Sequence, residues 1–182
     1  MELNSKNIVL VGPMGCGKTT VGRRLASKLN QDFFDTDHEI INKTGVSIDH
    51  IFDIEGEEGF RRRESEVLES LCDMNNIVIA TGGGVVLLPQ NRLVLKNAGV
   101  VVYLSSSVEQ LLRRTAKSKT RPLLENSSDR QKTITEIVNA RDKYYREVAT
   151  IVIDTTGKKL NEVIDIITVS YTHLTLPTIY SV

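Results

Sequence analysis

The chain has 182 residues, 40% of them hydrophobic, which is enough for one domain with a buried core. Its 23 basic and 23 acidic side chains cancel, which removes the bulk electrostatic case for a nucleic-acid or membrane partner. No stretch reaches the ~20 apolar residues of a membrane span, no signal-peptide pattern opens the chain, and Cys16 and Cys72 form neither a metal spacing nor a disulfide framework. These features predict a soluble protein of the reducing cytoplasm.

Short apolar runs alternate with helical patterns, as in a parallel sheet covered on both faces. The first predicted strand, Asn7–Val11, runs into Gly12-Pro-Met-Gly-Cys-Gly-Lys-Thr-Thr20, the G-x-x-x-x-G-K-[ST] phosphate loop. Glycines at 12, 15 and 17 let backbone N–H groups surround phosphate oxygens. Lys18 then reaches the β- and γ-phosphates, and Thr19 offers a hydroxyl to Mg²⁺. The predicted helix Lys18–Asn30, with Val21, Leu25 and Leu29 on one face, adds its positive N-terminal end. Gly12, Gly15, Cys16, Gly17, Lys18, Thr19 and Thr20 are therefore the candidate residues for binding a nucleoside triphosphate, with Cys16 read as a small filler.

The second predicted strand, Asp32–Asp35, ends in Asp35-Thr36-Asp37. Ligands of open parallel sheets bind at the carboxyl ends of strands, so one carboxylate is placed to support Mg²⁺ and the other to accept a proton from an attacking hydroxyl. The plainer alternative makes Asp37 a helix N-cap. Helices are predicted over Asp37–Thr44, Ile48–Ile54 and Glu57–Cys72, with Ser47 as a cap. The last contains Arg61-Arg62-Arg63, which helical spacing points in different directions without choosing among them. An Arg fork suits a carboxylate.

The third predicted strand, Ile77–Ala80, leads through Thr81 into Gly82, Gly83 and Gly84. Three glycines imply either backbone N–H groups close to a small anionic substrate or a tight turn. Thr81 stands roughly where many nucleotide hydrolases carry a Mg²⁺-binding Asp, which leaves Asp35 as the metal candidate. Helix Gln90–Asn97, strand Val100–Leu104 and helix Val108–Ala116 follow. Segment 116–129 lacks periodicity and contains Arg121-Pro-Leu-Leu, the pattern of a mobile lid whose Arg121 closes over the transferring phosphoryl group. Helix Arg130–Glu147 carries Arg141, a second candidate fork; strand Ile151–Ile153 and helix Leu160–Thr168 complete the pattern. The remaining SYTHLTLPTIYSV has no helical period and reads as cloning-derived sequence, so 1–169 is taken as one domain and 170–182 as a non-native tail.

Taken in order, LVGPMGCGKTTVGRRLA, FFDTDHEI, SIDHIF with EGEEGFRRRE, ATGGGVV, VVYL, RRT with TRPLL, and ARDKYYREVA resemble the shikimate kinases, from about Asn7 to Thr168. The resemblance implies a three-layer α/β/α fold around a five-stranded parallel sheet, of phosphate-loop kinase type with a closing lid, and a monomer. It implies that the chain uses Mg²⁺ and ATP, releases ADP, and phosphorylates shikimate. Lys18 would hold the transferring phosphates and Thr19 the Mg²⁺, with Asp35 supporting the metal through water. Asp37 would act on the attacking hydroxyl, Arg61 and Arg141 would clamp the carboxylate, and Gly82–Gly84 would meet the ring hydroxyls. Arg121 would be the lid arginine, while Arg114 and the Asp154–Lys158 segment would lie against adenine. Lys158 stands where the family commonly has Arg.

Three alternatives share the phosphate loop. A gluconate-type kinase gives less reason for Gly-Gly-Gly together with RRRE and RPLL. An adenylate-kinase-like enzyme needs a second nucleotide pocket, for which the segment between the second and third strands is short. A non-catalytic nucleotide switch leaves Asp37, Arg61 and Arg141 without a joint role.

Overall fold

Residues 6–116 and 129–176 are described by a computed structural model of the chain. Strands β1 (Asn7–Val11), β2 (Asp32–Asp35), β3 (Ile77–Ala80), β4 (Gly99–Ser105) and β5 (Ile151–Asp154) form one parallel sheet. Its order is β2-β3-β1-β4-β5, with β1 at the centre. The described helices are α1 (Lys18–Leu29), α2 (Thr36–Thr44), α3 (Ile48–Cys72), α4 (Pro89–Asn97), α5 (Val108–Thr115), α6 (Arg130–Val148) and α7 (Leu160–Thr175). None of them is long and apolar enough to cross a membrane.

The central strands are buried on both faces because helices cover both, and alternate residues divide the core in two. Ile8 and Leu10 join Val100, Val102 and Leu104 under α1, α5 and α7. Val9 and Val11 join Val101 and Tyr103 under α2, α3, α4 and the C-terminal half of α6. The five predicted strands and the three-layer α/β/α architecture are all present.

Local sequence sets the helix starts. Asp35 caps α2, accepting hydrogen bonds from the N–H groups of Asp37 and His38, so Asp37 sits inside the first turn and is not the cap. Ser47, Ser107 and Asp129 cap α3, α5 and α6 in the same way. Helix α3 is broken at Gly56, whose φ of 69° and ψ of −175° only glycine adopts readily, so the two helices expected over 48–54 and 57–72 are the two limbs of one bent element. A two-pronged Arg63–Glu55 ion pair, 2.5 and 2.9 Å, spans the bend.

One expectation is corrected and one element is added. Val85–Leu87 forms a 3-10 turn that the apolar sequence did not signal. Helix α7 does not end at Thr168: it continues to Thr175, Tyr171 is buried, and its hydroxyl donates to the Lys6 carbonyl at 2.9 Å. The reading that helical order is lost at Ser170 therefore fails for 170–175, where burial of one aromatic outweighs a Thr-rich composition. Residues 117–128, with Arg121 and the body of the expected lid, lie outside the described residues.

Candidate active site

The phosphate loop is the connection from β1 to α1. Gly12 has a φ of 150°, and a Cβ there would lie 2.5 Å from the Leu104 carbonyl oxygen of β4, so its lack of a side chain allows close packing at the carboxyl ends of the central strands. Lys18 is 8% exposed and donates to the carbonyls of Gly12 at 2.6 Å and Pro13 at 2.9 Å, so its ammonium spans the loop it serves. The first turn of α1 sets Thr19 toward β2, where its hydroxyl donates to Asp35 Oδ2 at 2.7 Å. This pair of hard oxygen donors fits Mg²⁺, which takes few protein ligands and completes its shell with water and phosphate. Among the described residues no group of three or more His, Cys, Asp or Glu forms a closed metal cage.

A cavity of about 520 Å³ opens at the carboxyl ends of β1, β2 and β3. Gly15, Gly17, Lys18, Thr19 and Thr20 line one side. Asp35, Asp37, Arg61, Gly82, Gly83, Gly84 and Arg141 line the remainder. Ile48, Phe52 and Phe60 add an apolar wall, with the two phenyl rings 4.7 Å apart. A smaller hollow of about 280 Å³ beside the loop is lined by Cys16, Thr20, Arg114, Thr155 and Lys158. Arg114 belongs to both spaces and donates to the Cys16 carbonyl at 3.0 Å.

The glycine segment after β3 joins the two halves. A Cβ on Gly83 would stand 3.3 Å from the Met14 nitrogen and 3.7 Å from an Arg141 guanidinium nitrogen, so this residue separates phosphate loop from arginine. A Cβ on Gly82 would stand 3.2 Å from Asp37 Oδ1, and one on Gly84 would strike the Arg61 guanidinium at 2.4 Å. The structure thus chooses among the three consecutive arginines: Arg61 is buried in the cavity, Arg62 is exposed, and Arg63 is tied to Glu55.

A further charged residue, Glu64, is 1% exposed and lines the cavity. It accepts from Arg61 at 2.8 Å, and Glu57 accepts from the same guanidinium at 3.4 Å. Burial pushes the Glu64 carboxyl above its ordinary range against the pull of Arg61, and the charge of Asp37 adds to the rise. The signal was present: Phe60, Glu64, Leu68 and Leu71 follow helical spacing, so Glu64 interrupts the buried stripe of α3.

A parallel α/β sheet with a phosphate loop, a carboxylate pair at the next strand end and an arginine-lined cavity beside them defines a phosphate-loop kinase. The shikimate kinase family model matches residues 14–171. The chain belongs to that family. It is 50% identical over 160 residues to the shikimate kinase of Thioalkalivibrio sulfidiphilus, covering 88% of this chain and 84% of that one. Identity to the Dechloromonas aromatica shikimate kinase is 56% over 149 residues, 82% and 81% of the two chains. The structure of shikimate kinase from Acinetobacter baumannii in complex with shikimate superposes with a TM-score of 0.91 at 44% identity, covering 95% of this chain and 96% of that one. That from Aquifex aeolicus gives a TM-score of 0.80 at 36% identity, with 93% and 98% covered.

Proposed function

We propose that the chain transfers the γ-phosphoryl group of ATP to the 3-hydroxyl of shikimate, giving shikimate 3-phosphate and ADP in aromatic biosynthesis. The observation that carries this reading is one cavity in which Lys18 and Thr19 face Asp37, Arg61 and Arg141 across Gly82–Gly84. Lys18 is the charge on the β- and γ-phosphates, and the backbone of Gly15, Cys16, Gly17, Thr19 and Thr20 surrounds their oxygens. Thr19 would hold Mg²⁺, with Asp35 supporting it through water, and the ion would supply neutralisation of charge on the phosphate oxygens.

On the acceptor side, Arg61 and Arg141 take the carboxylate of shikimate as two guanidinium donors, and Gly82–Gly84 meet its hydroxyls through backbone groups. Asp37 accepts the hydroxyl proton while the oxygen forms its bond to phosphorus and the bond from phosphorus to the ADP oxygen breaks. The transferring group is metaphosphate-like, so position and charge do most of the work, with Arg121 as the lid contribution. Arg114 and Lys158 bound the adenine side. We read the protein as a cytoplasmic monomer without nucleic-acid or membrane partners.

The test is ADP release from Mg-ATP with shikimate, gluconate or AMP as acceptor. Shikimate-dependent release that disappears in Asp37→Asn supports the reading. Release with gluconate or AMP instead overturns the acceptor assignment, and nucleotide binding without turnover on any acceptor indicates a switch.

A further inference from the structure

The glycine segment has no side chains with which to fix its own peptide planes, so their orientation has to be imposed from outside. The phenol of Tyr145 does this for one plane. Its hydroxyl donates to the Gly83 carbonyl at 2.5 Å, and the side chain is fully buried. Burial raises the phenol well above the ordinary tyrosine range, so it keeps the proton it donates. The ring packs on that of Tyr103 with centroids 4.9 Å apart, while the Tyr103 hydroxyl donates to Asp142 at 2.8 Å, away from the glycine segment.

The described chain contains no cis peptide, so the Gly83 carbonyl and the Gly84 N–H point in opposite directions within their shared plane. Gly82, Gly83 and Gly84 line the active-site cavity and Tyr145 does not. Holding the carbonyl against the protein interior therefore turns the Gly84 N–H toward the cavity. Tyr145 also lies one helical turn beyond Arg141 on the same face of α6, and both are buried. The helix that brings the arginine is thus pinned to the segment beside which that arginine works.

We propose that Tyr145 is a positioning residue: its hydroxyl fixes the Gly83–Gly84 peptide plane, presents the Gly84 N–H to the acceptor, and sets the spacing between that segment and Arg141. The inference rests on the shikimate reading above. In Tyr145→Phe the shikimate KM rises about tenfold, the effect of one well-placed hydrogen bond, while the ATP KM stays at the wild-type value. Tyr103→Phe is the control, because it keeps the ring packed on Tyr145 and loses a phenol bond that does not touch the glycine segment. It lowers Tm like Tyr145→Phe but leaves the shikimate KM unchanged. An unchanged shikimate KM in Tyr145→Phe, or an equal rise in Tyr103→Phe, overturns the proposal. Independently of any variant, the Gly84 amide resonance of ¹⁵N-labelled wild-type protein shifts on saturation with shikimate, and an unmoved resonance overturns it as well. Wild-type protein with no shikimate-dependent ADP release removes the substrate reading and this proposal with it, whereas an active wild type with an indifferent Tyr145→Phe removes the proposal alone.

Discussion

Gly84→Ala isolates the role of space at the acceptor site. Gly84 has φ −95° and ψ 4°, so alanine adopts its backbone without a left-handed penalty and the effect is steric. The new Cβ would lie 2.4 Å from both terminal nitrogens of Arg61 and 2.6 Å from its Cζ. Relief to an ordinary contact of about 3.4 Å requires a shift of about 1 Å. The guanidinium cannot make that shift freely, because Glu64 holds it at 2.8 Å, Glu57 at 3.4 Å, and Arg61 is only 9% exposed. A misplacement of about 1 Å in a substrate-positioning group costs about 10²-fold, or ~2.7 kcal/mol of transition-state stabilisation. Initial rates of ADP release over a matrix of shikimate and ATP concentrations should place that loss in kcat/KM for shikimate and leave the ATP KM alone. Adding Arg61→Ala to Gly84→Ala should cost less than Arg61→Ala alone, since the same guanidinium has already been displaced. A wild-type shikimate KM in Gly84→Ala, or a parallel loss of ATP affinity, would refute the reasoning.

Three further outcomes follow from the same structure. Asp37→Asn should lower kcat by about 10²–10³-fold with nucleotide affinity retained, because only the proton acceptor is lost; equilibrium nucleotide titration beside steady-state rates decides it. Burial raises the phenols of Tyr103 and Tyr145 above their ordinary value of 10.0, so the stability from keeping them neutral is complete below pH 10 and is lost as pH climbs through the folded-state values. Unfolding free energy should then fall by ~1.4 kcal/mol per pH unit per tyrosine above pH ~10, and Tyr103→Phe should shallow the fall; an identical slope in that variant would count against the assignment. Ending the chain after Val169 removes buried Tyr171 and its bond to the Lys6 carbonyl, at about 3 kcal/mol of stability in urea, without changing kcat. An unchanged urea midpoint would mean that the last helical turns contribute nothing.

The central strands were legible because a strand covered on both faces is apolar throughout, and Val100–Leu104 satisfies that without ambiguity. The phosphate loop was legible because Gly12, Gly17, Lys18 and Thr19 occupy fixed offsets after such a strand. Long-range pairing was not. Helical spacing alone does not separate Arg61 from Arg62: the choice is made by buried Glu64 three positions along the same helix together with Gly84 on another element. Tyr145 acts across 62 positions of sequence, and no periodicity encodes a bond to a carbonyl in a glycine segment. The misreading of 170–175 has the same cause: Tyr171 finds its partner at Lys6, at the other end of the chain.

The stretch from Thr36 to Cys72 leaves the sheet at its margin, from β2, and returns on the neighbouring strand β3. It supplies Asp37, Arg61, Glu64 and the apolar wall of Ile48, Phe52 and Phe60, while the phosphate grip is built separately by β1 and α1. If the proposed roles hold, recognition of the acceptor is encoded largely in one uninterrupted cassette, hung from the border of the scaffold so that no other strand has to be rethreaded around it. A graft of that cassette between relatives would carry acceptor preference with it and leave the ATP machinery in place, with Arg141 as the single acceptor contact on a helix that the graft does not replace.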